Sequence, residues 1–77
     1  MKEFIEFIAK HLVDKPEAVV IREKVSEEKK VVFSLKVEQD DMGKVIGKKG
    51  KTVIAIRTLL TAVAAKQGKK AILDIEG

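Results

Sequence analysis

Two glycines three residues apart, Gly47 and Gly50, enclose two lysines and lie between two segments of apolar patterning. No other stretch restricts the possible folds as much. Glycine has no Cβ, so the backbone can turn tightly there and a bulky ligand can approach the main chain. Val45-Ile46 on one side reads as the end of a helix, and Lys51-Thr52-Val53-Ile54 on the other as the start of a second. The chain must therefore fit a helix–turn–helix junction with a very short turn. A sharp glycine bend offering free N–H groups, a helix N-terminus and concentrated positive charge is suited to holding phosphate.

The 77 residues are read as one domain over 1–77, enough for one modest core but not for a core plus a deep enclosed catalytic cavity. There is no cysteine, which removes disulfides and thiolate metal sites and allows a reducing compartment. Glu3, Glu6 and Lys10 interrupt the N-terminal apolar run that a signal peptide would need, and no run is long enough to span a bilayer. The expectation is a soluble, cytoplasmic protein with no membrane partner.

The net charge of +4 conceals a separation. From 42 to 73 the sequence carries eight basic residues and no acidic one, while the remainder holds the other eight basic residues and all twelve acids. The segment containing the glycine turn is thus +8 and the rest −4, a field that attracts polyanions without making the whole surface adhesive. Lys66, Lys69 and Lys70 fall near a helix C-terminus, where the macrodipole alone accounts for them. Lys44, Lys48, Lys49 and Lys51 crowd a helix N-terminus, where the dipole disfavours cations unless an anion is present.

Phe4, Ile5, Ile8 and Leu12 recur at three- and four-residue spacing, with Phe7 extending the stripe, so the first segment reads as a helix ending near Asp14-Lys15-Pro16. Residues 18–25 and 30–38 read as strands. In the second, Val31, Phe33, Leu35 and Val37 share one face, and Ser26-Glu27-Glu28-Lys29 forms the hairpin loop. Gln39-Asp40-Asp41 is expected to supply an N-cap for a short helix through Ile46, and Gly68 to stop a long helix over 51–66. Residues 71–75 form the last strand, which can lie parallel to the preceding one through a right-handed crossover. The expected fold is α+β: helix, strand, strand, helix, helix, strand, as a three-stranded mixed sheet with helices packed on one face.

On a wheel of the long helix, Val53, Ile56, Leu59, Leu60, Val63 and Ala64 form the expected core stripe. A second face carries Ile54, Ala55, Thr58, Thr61, Ala62 and Ala65, small and uncharged where an exposed helix usually shows charge. Either the N-terminal helix or ligand covers it, or it meets another helix across a subunit interface. His11, the one histidine, has no acid or nucleophile at a recognisable spacing and reads as a surface or half-buried helix residue.

Val45-Ile46-Gly47-Lys48-Lys49-Gly50-Lys51, continuing through Thr52-Val53-Ile54, resembles the hallmark of the KH domain. The order of elements resembles the type II arrangement, and the likeness extends over the whole chain to the bacterial stand-alone KH proteins. It implies clamping of about four nucleotides of single-stranded RNA. In that arrangement Gly47 and Gly50 admit the sugar-phosphate chain, and Lys44, Lys48, Lys49 and Lys51 sit beside phosphates. Val45, Ile46 and Ile54 pack under bases with Thr52 at the helix start, while Arg57 reaches the backbone or a base edge. It further implies a post-transcriptional regulator or RNA chaperone linked to cell shape. The protein would act as a homodimer or with a second RNA-binding protein of the KhpB (Jag or EloR) type. None of the three phenylalanines lies near the turn, which argues against aromatic stacking of bases.

Gly50-Lys51-Thr52 imitates the end of a P-loop, but the full pattern requires glycine where Val45 stands. No paired carboxylates, histidine cluster or serine–histidine spacing is present, so neither catalytic residues, nor metal, nor cofactor is expected. The alternative to RNA binding is a protein–protein interaction module whose main surface is the small-residue helix face.

Overall fold

The structure is a computed structural model, and it describes residues 1–76. Helix α1 spans Lys2–Leu12 and buries Ile5 and Ala9, with Glu3 in its first turn and Lys10 and His11 in its last, as the helix dipole favours. Phe7 was expected on the core stripe but is 64% exposed, its ring 4.3 Å from that of His11. At 100° per residue Phe7 stands 200° from Ile5, on the far side from the buried pair. His11 is exposed, its Nδ1 2.7 Å from the Phe7 carbonyl.

After Val13 turns to extended geometry, Pro16 opens a 3-10 turn over Pro16–Ala18. Strand β1 follows at Val20–Ser26 and strand β2 at Lys30–Lys36, joined by a loop closed through the Glu27 amide on the Lys30 carbonyl at 2.8 Å. They pair antiparallel from Val20↔Lys36 to Ser26↔Val31, with a slip between Glu23 and Val25 that leaves Lys24 as an extra residue. Such a bulge at a free edge hinders pairing with another sheet. Strand β3, Lys70–Glu76, lies parallel on the other side of β2, from Lys30↔Lys70 to Lys36↔Glu76, giving the order β1-β2-β3.

Between β2 and β3 the chain makes a 3-10 turn at Gln39–Asp41, helix α2 at Met42–Ile46 and helix α3 at Lys51–Ala65. Gly68, at φ +69°, ends α3. Its amide donates to the Ala65 carbonyl and that of Lys69 to the Ala64 carbonyl, both at 3.0 Å, the paired bonds of a Schellman cap.

The alternation in β2 is realised: Val31, Phe33, Leu35 and Val37 are buried under the helices with Ile5, Val45, Ile56, Leu60 and Leu73. The opposite face is wet except at Ser34, which is buried in the middle strand where the Lys24 ammonium bridges over β2 to Glu76 (3.1 Å) and Asp74 (3.8 Å). Leu59, expected in the core, is 51% exposed. It lies 40° beyond Val63 on the helix wheel, past the arc that the sheet covers. The acids before α2 do not cap it through their side chains. Asp41 instead accepts the Lys15 amide at 3.1 Å and is buried, which ties the end of α1 to the start of α2.

Candidate nucleic-acid interface

The turn between α2 and α3 is built on three departures from helical geometry. Gly47 has φ 77° and ψ 170°, Lys49 sits in the left-handed region at φ 58° and ψ 25°, and Gly50 follows at φ 73° and ψ 11°. The two glycines are required for different reasons. A Cβ on Gly47 would come within 2.6 Å of the Thr52 Cβ and 2.9 Å of its amide nitrogen, whereas one on Gly50 would meet open space. Gly47 is thus fixed by close packing and conformation together, and Gly50 by conformation alone.

Two amides of the turn are already engaged: Gly47 donates to the Gly43 carbonyl at 2.8 Å and Gly50 to the Gly47 carbonyl at 3.1 Å. The Lys51 amide, at the start of α3, donates to the Lys48 carbonyl. The turn therefore spends part of the expected supply of N–H groups on its own carbonyls. Both side chains are exposed, and among the described residues neither they nor Lys51 form an ion pair. The ends of the turn are anchored by Val45 and Val53, both buried, and Thr52 is half-buried.

Three residues grouped with the turn in sequence are placed otherwise. Val45 is fully buried, so it supports the turn from the core and cannot lie under a base. Ile46 and Ile54 remain exposed on either side of the turn. Lys44 turns away from the loop. Its ammonium pairs with the Asp14 carboxylate and lies 3.6 Å from Asp41, so two acids already neutralise it. The bond and charge of Asp14, aided by Asp41, hold the Lys44 ammonium above its ordinary pKa. Burial pushes the Asp41 carboxyl up, but the backbone N–H groups of Lys15 and Asp14 and the nearby Lys44 charge bring it below the usual aspartate value on balance. Arg57 crosses to the last strand, donating from Nε (3.2 Å) and Nη2 (3.1 Å) to the Leu73 carbonyl.

That crossing lies in a groove of about 310 Å3 between α3 and β3, lined by Leu60, Thr61, Ala71, Ile72, Leu73 and Asp74 as well as Arg57. The β3 contribution was missed in sequence. The parallel crossover signalled that β3 would lie beside β2, but nothing local indicated that it would be an edge strand facing α3.

The small-residue face of α3 is bare. Ile54, Ala55, Thr58, Thr61, Ala62 and Ala65 are all exposed, so α1 does not cover them. The Thr58 hydroxyl donates to the Ile54 carbonyl and that of Thr61 to the Arg57 carbonyl, both at 2.9 Å. With their donors turned back on the helix, the threonines offer surroundings mainly their methyl groups. Among the described residues no group of acids, histidines or cysteines is arranged to hold a metal ion, and no helix is long and apolar enough to cross a membrane.

The helix–strand–strand–helix–helix–strand order, the parallel pairing of β2 with β3 and a G-x-x-G turn between α2 and α3 define a KH domain of type II. Residues 2–75 match the family described as KhpA/KhpB, KH domain, and the chain belongs to that family. It is 52% identical to the RNA-binding protein KhpA of Clostridium perfringens, over 97% of this chain and 99% of that one. The corresponding protein of Chlamydia trachomatis is 48% identical (97% and 95% covered) and that of Aquifex aeolicus 44% (97% and 94%). No solved structure matches the chain.

Proposed function

We propose that the protein binds single-stranded RNA by laying its sugar-phosphate chain across the Gly47–Gly50 turn, as a single KH unit without catalytic activity. The observation that carries this reading is the pair of exposed lysines without an ion-pair partner among the described residues, held between two positive-φ glycines at the start of a 15-residue helix with no acid in its first turn. The ammonium groups and the positive helix end favour the same anionic group. Ile46 and Ile54 give the bases an aliphatic surface. The groove beside β3 extends the track beyond the turn. The relatives' designation as RNA-binding proteins supports the same ligand.

A second surface is favoured by the bare face of α3. Six exposed small or apolar positions with self-satisfied hydroxyls suit close approach of another helix, so the working form is a homodimer or a heterodimer with a KhpB-type partner. One RNA spanning two units would bind roughly 100-fold or more tightly than one unit alone. A post-transcriptional or RNA-chaperone role in the cytoplasm follows from this reading.

Charge reversal tests it. Lys48→Asp combined with Lys49→Asp is expected to abolish binding to a single-stranded oligonucleotide while leaving the circular dichroism spectrum and melting temperature nearly unchanged. Retained binding would refute the assigned role of the turn. For association, Ala62→Trp should lower the sedimenting mass to that of one chain, and an unchanged mass would remove the α3 face from the account.

A further inference from the structure

We propose that Gly43 is a contact point for the bound strand: its missing side chain lets the sugar or base of the nucleotide beside the turn lie directly on the backbone of α2. The inference rests on the RNA reading above and concerns the α2 side of the turn. Glycine is a poorer helix former than any residue except proline, because it gives up the most backbone freedom on folding. Gly43 sits inside α2 all the same. Among the described residues nothing requires it there. Unlike Gly47, Gly50 and Gly68, it has no positive φ. Unlike Gly47, it has no neighbour that a Cβ would strike, since nothing lies within 4 Å of that position. The fold explains the other three glycines and leaves Gly43 unexplained. The physical reason that remains is close approach of something outside this chain.

Its position says what approaches. On a wheel of α2, the buried Val45 stands about 160° from Gly43 and the exposed Ile46 about 60° from it. The Gly47 amide donates to the Gly43 carbonyl at 2.8 Å. The first glycine of the turn therefore lies one helical turn beyond Gly43, about 6 Å along the axis. Lys44, whose long side chain would otherwise cover this flank, stands on the side away from Ile46 and is drawn to Asp14 and Asp41. A bare strip of backbone thus leads from Gly43 to the exposed lysines of the turn, with Ile46 along one edge. A strand whose phosphate rests at Lys48 and Lys49 has its neighbouring nucleotide within reach of that strip. Continuity with the cationic turn favours a nucleic-acid strand over a protein as the occupant. The contact is made by the Cα and backbone on the flank of the helix and uses no charge.

A methyl group at this position acts on two quantities with opposite sign. In the free protein it raises helix propensity, lowers the entropy of the unfolded chain and strikes nothing, so the fold gains. In the complex it occupies space that belongs to the ligand, and overfilling a packed contact is unfavourable. A glycine needed by the fold loses stability on such a change. One needed by the ligand gains stability and loses binding.

The test compares the wild type with Gly43→Ala and Gly43→Leu by thermal melting and by fluorescence anisotropy on a mixed-sequence RNA octamer, at 50 and 200 mM salt. Gly43→Ala should melt about 4 °C higher and bind about tenfold more weakly. Gly43→Leu, also a good helix former, should bind more weakly still, because side-chain size and not helix propensity sets the loss. The alanine variant decides the matter if the leucine variant does not fold. Both variants should keep the salt dependence of the wild type, since no cation is removed; a shallower dependence would mean that the lysines had been displaced and overturns the inference. Wild-type affinity in Gly43→Ala overturns it too and leaves the clamp standing. So does a lower melting temperature in Gly43→Ala, which places the need for glycine in the fold itself. A sedimenting mass that falls in Gly43→Ala while octamer binding holds assigns the strip to a protein and overturns the inference. No binding of the octamer by the wild type overturns the clamp and this inference with it.

Discussion

The lysines of the turn can be counted by salt. Lys48, Lys49 and Lys51 have no carboxylate partner among the described residues, whereas Lys44 is neutralised by Asp14 and Asp41. Binding to single strands releases about 0.7 counterion for each phosphate neutralised, so three free cations give a slope of log affinity against log salt of about −2.1. Raising salt from 50 to 200 mM should then weaken binding about 18-fold. Replacing Lys48 and Lys49 together by alanine leaves one cation, a slope of about −0.7 and a loss of about 2.6-fold over the same range. Lys44→Ala is the control. It removes a charge from the same neighbourhood but from within an ion-paired group, so the slope should stay near −2.1 while the melting temperature falls. Titrations of a fluorescent octamer at four salt concentrations measure all three slopes. Were Lys44→Ala to lower the slope by a full 0.7, the ion pair would not hold in solution and Lys44 would belong among the phosphate ligands. A slope unchanged in the double variant would refute the role of the turn.

The two glycines should respond unequally to alanine. Gly50→Ala, strained but unobstructed, should cost about 1–2 kcal/mol in urea denaturation. Gly47→Ala should cost more by a further ~1–3 kcal/mol, because Thr52 must also move; equal losses would show that Thr52 does not constrain the turn. The Asp41 carboxyl titrates below the ordinary aspartate value of 3.8, so its stabilising contribution is present above that value and is lost as pH falls through its folded-state pKa. The melting temperature should therefore drop on acidification below about pH 4, and Asp41→Asn should flatten that drop; an identical acid profile in the variant would remove Asp41 from the account.

Much of this molecule is written in local pattern. The period of two in β2, the glycine turn and the glycine after α3 each report on a few neighbouring residues, and each was realised. The misreadings share a cause: they concern what lies opposite a residue. Phe7 and Leu59 are apolar and near a core stripe, and only the positions of the other elements decide that they face outward. Lys44 looks like a loop cation until Asp14, 30 residues earlier, comes alongside. Arg57 looks free until Leu73, 16 residues on, offers its carbonyl. The bulge at Lys24 is likewise unmarked in sequence, with no glycine or proline near it. For the site, residue types at the turn were legible, but not which amides are spent, since that depends on φ and ψ at Lys49.

The parallel partnership of β2 and β3 has a consequence for when the site comes into being. Every residue of the turn lies inside the crossover that this pairing closes, between Lys36 and Lys70. Long-range closures of this kind are made late in folding, since their entropy is lost before their contacts are gained. A chain emerging from the ribosome therefore carries the complete lysine–glycine sequence some 25 residues before it has the strand that completes the groove. The clamp proposed above would therefore be completed only after the last strand has been added to the sheet.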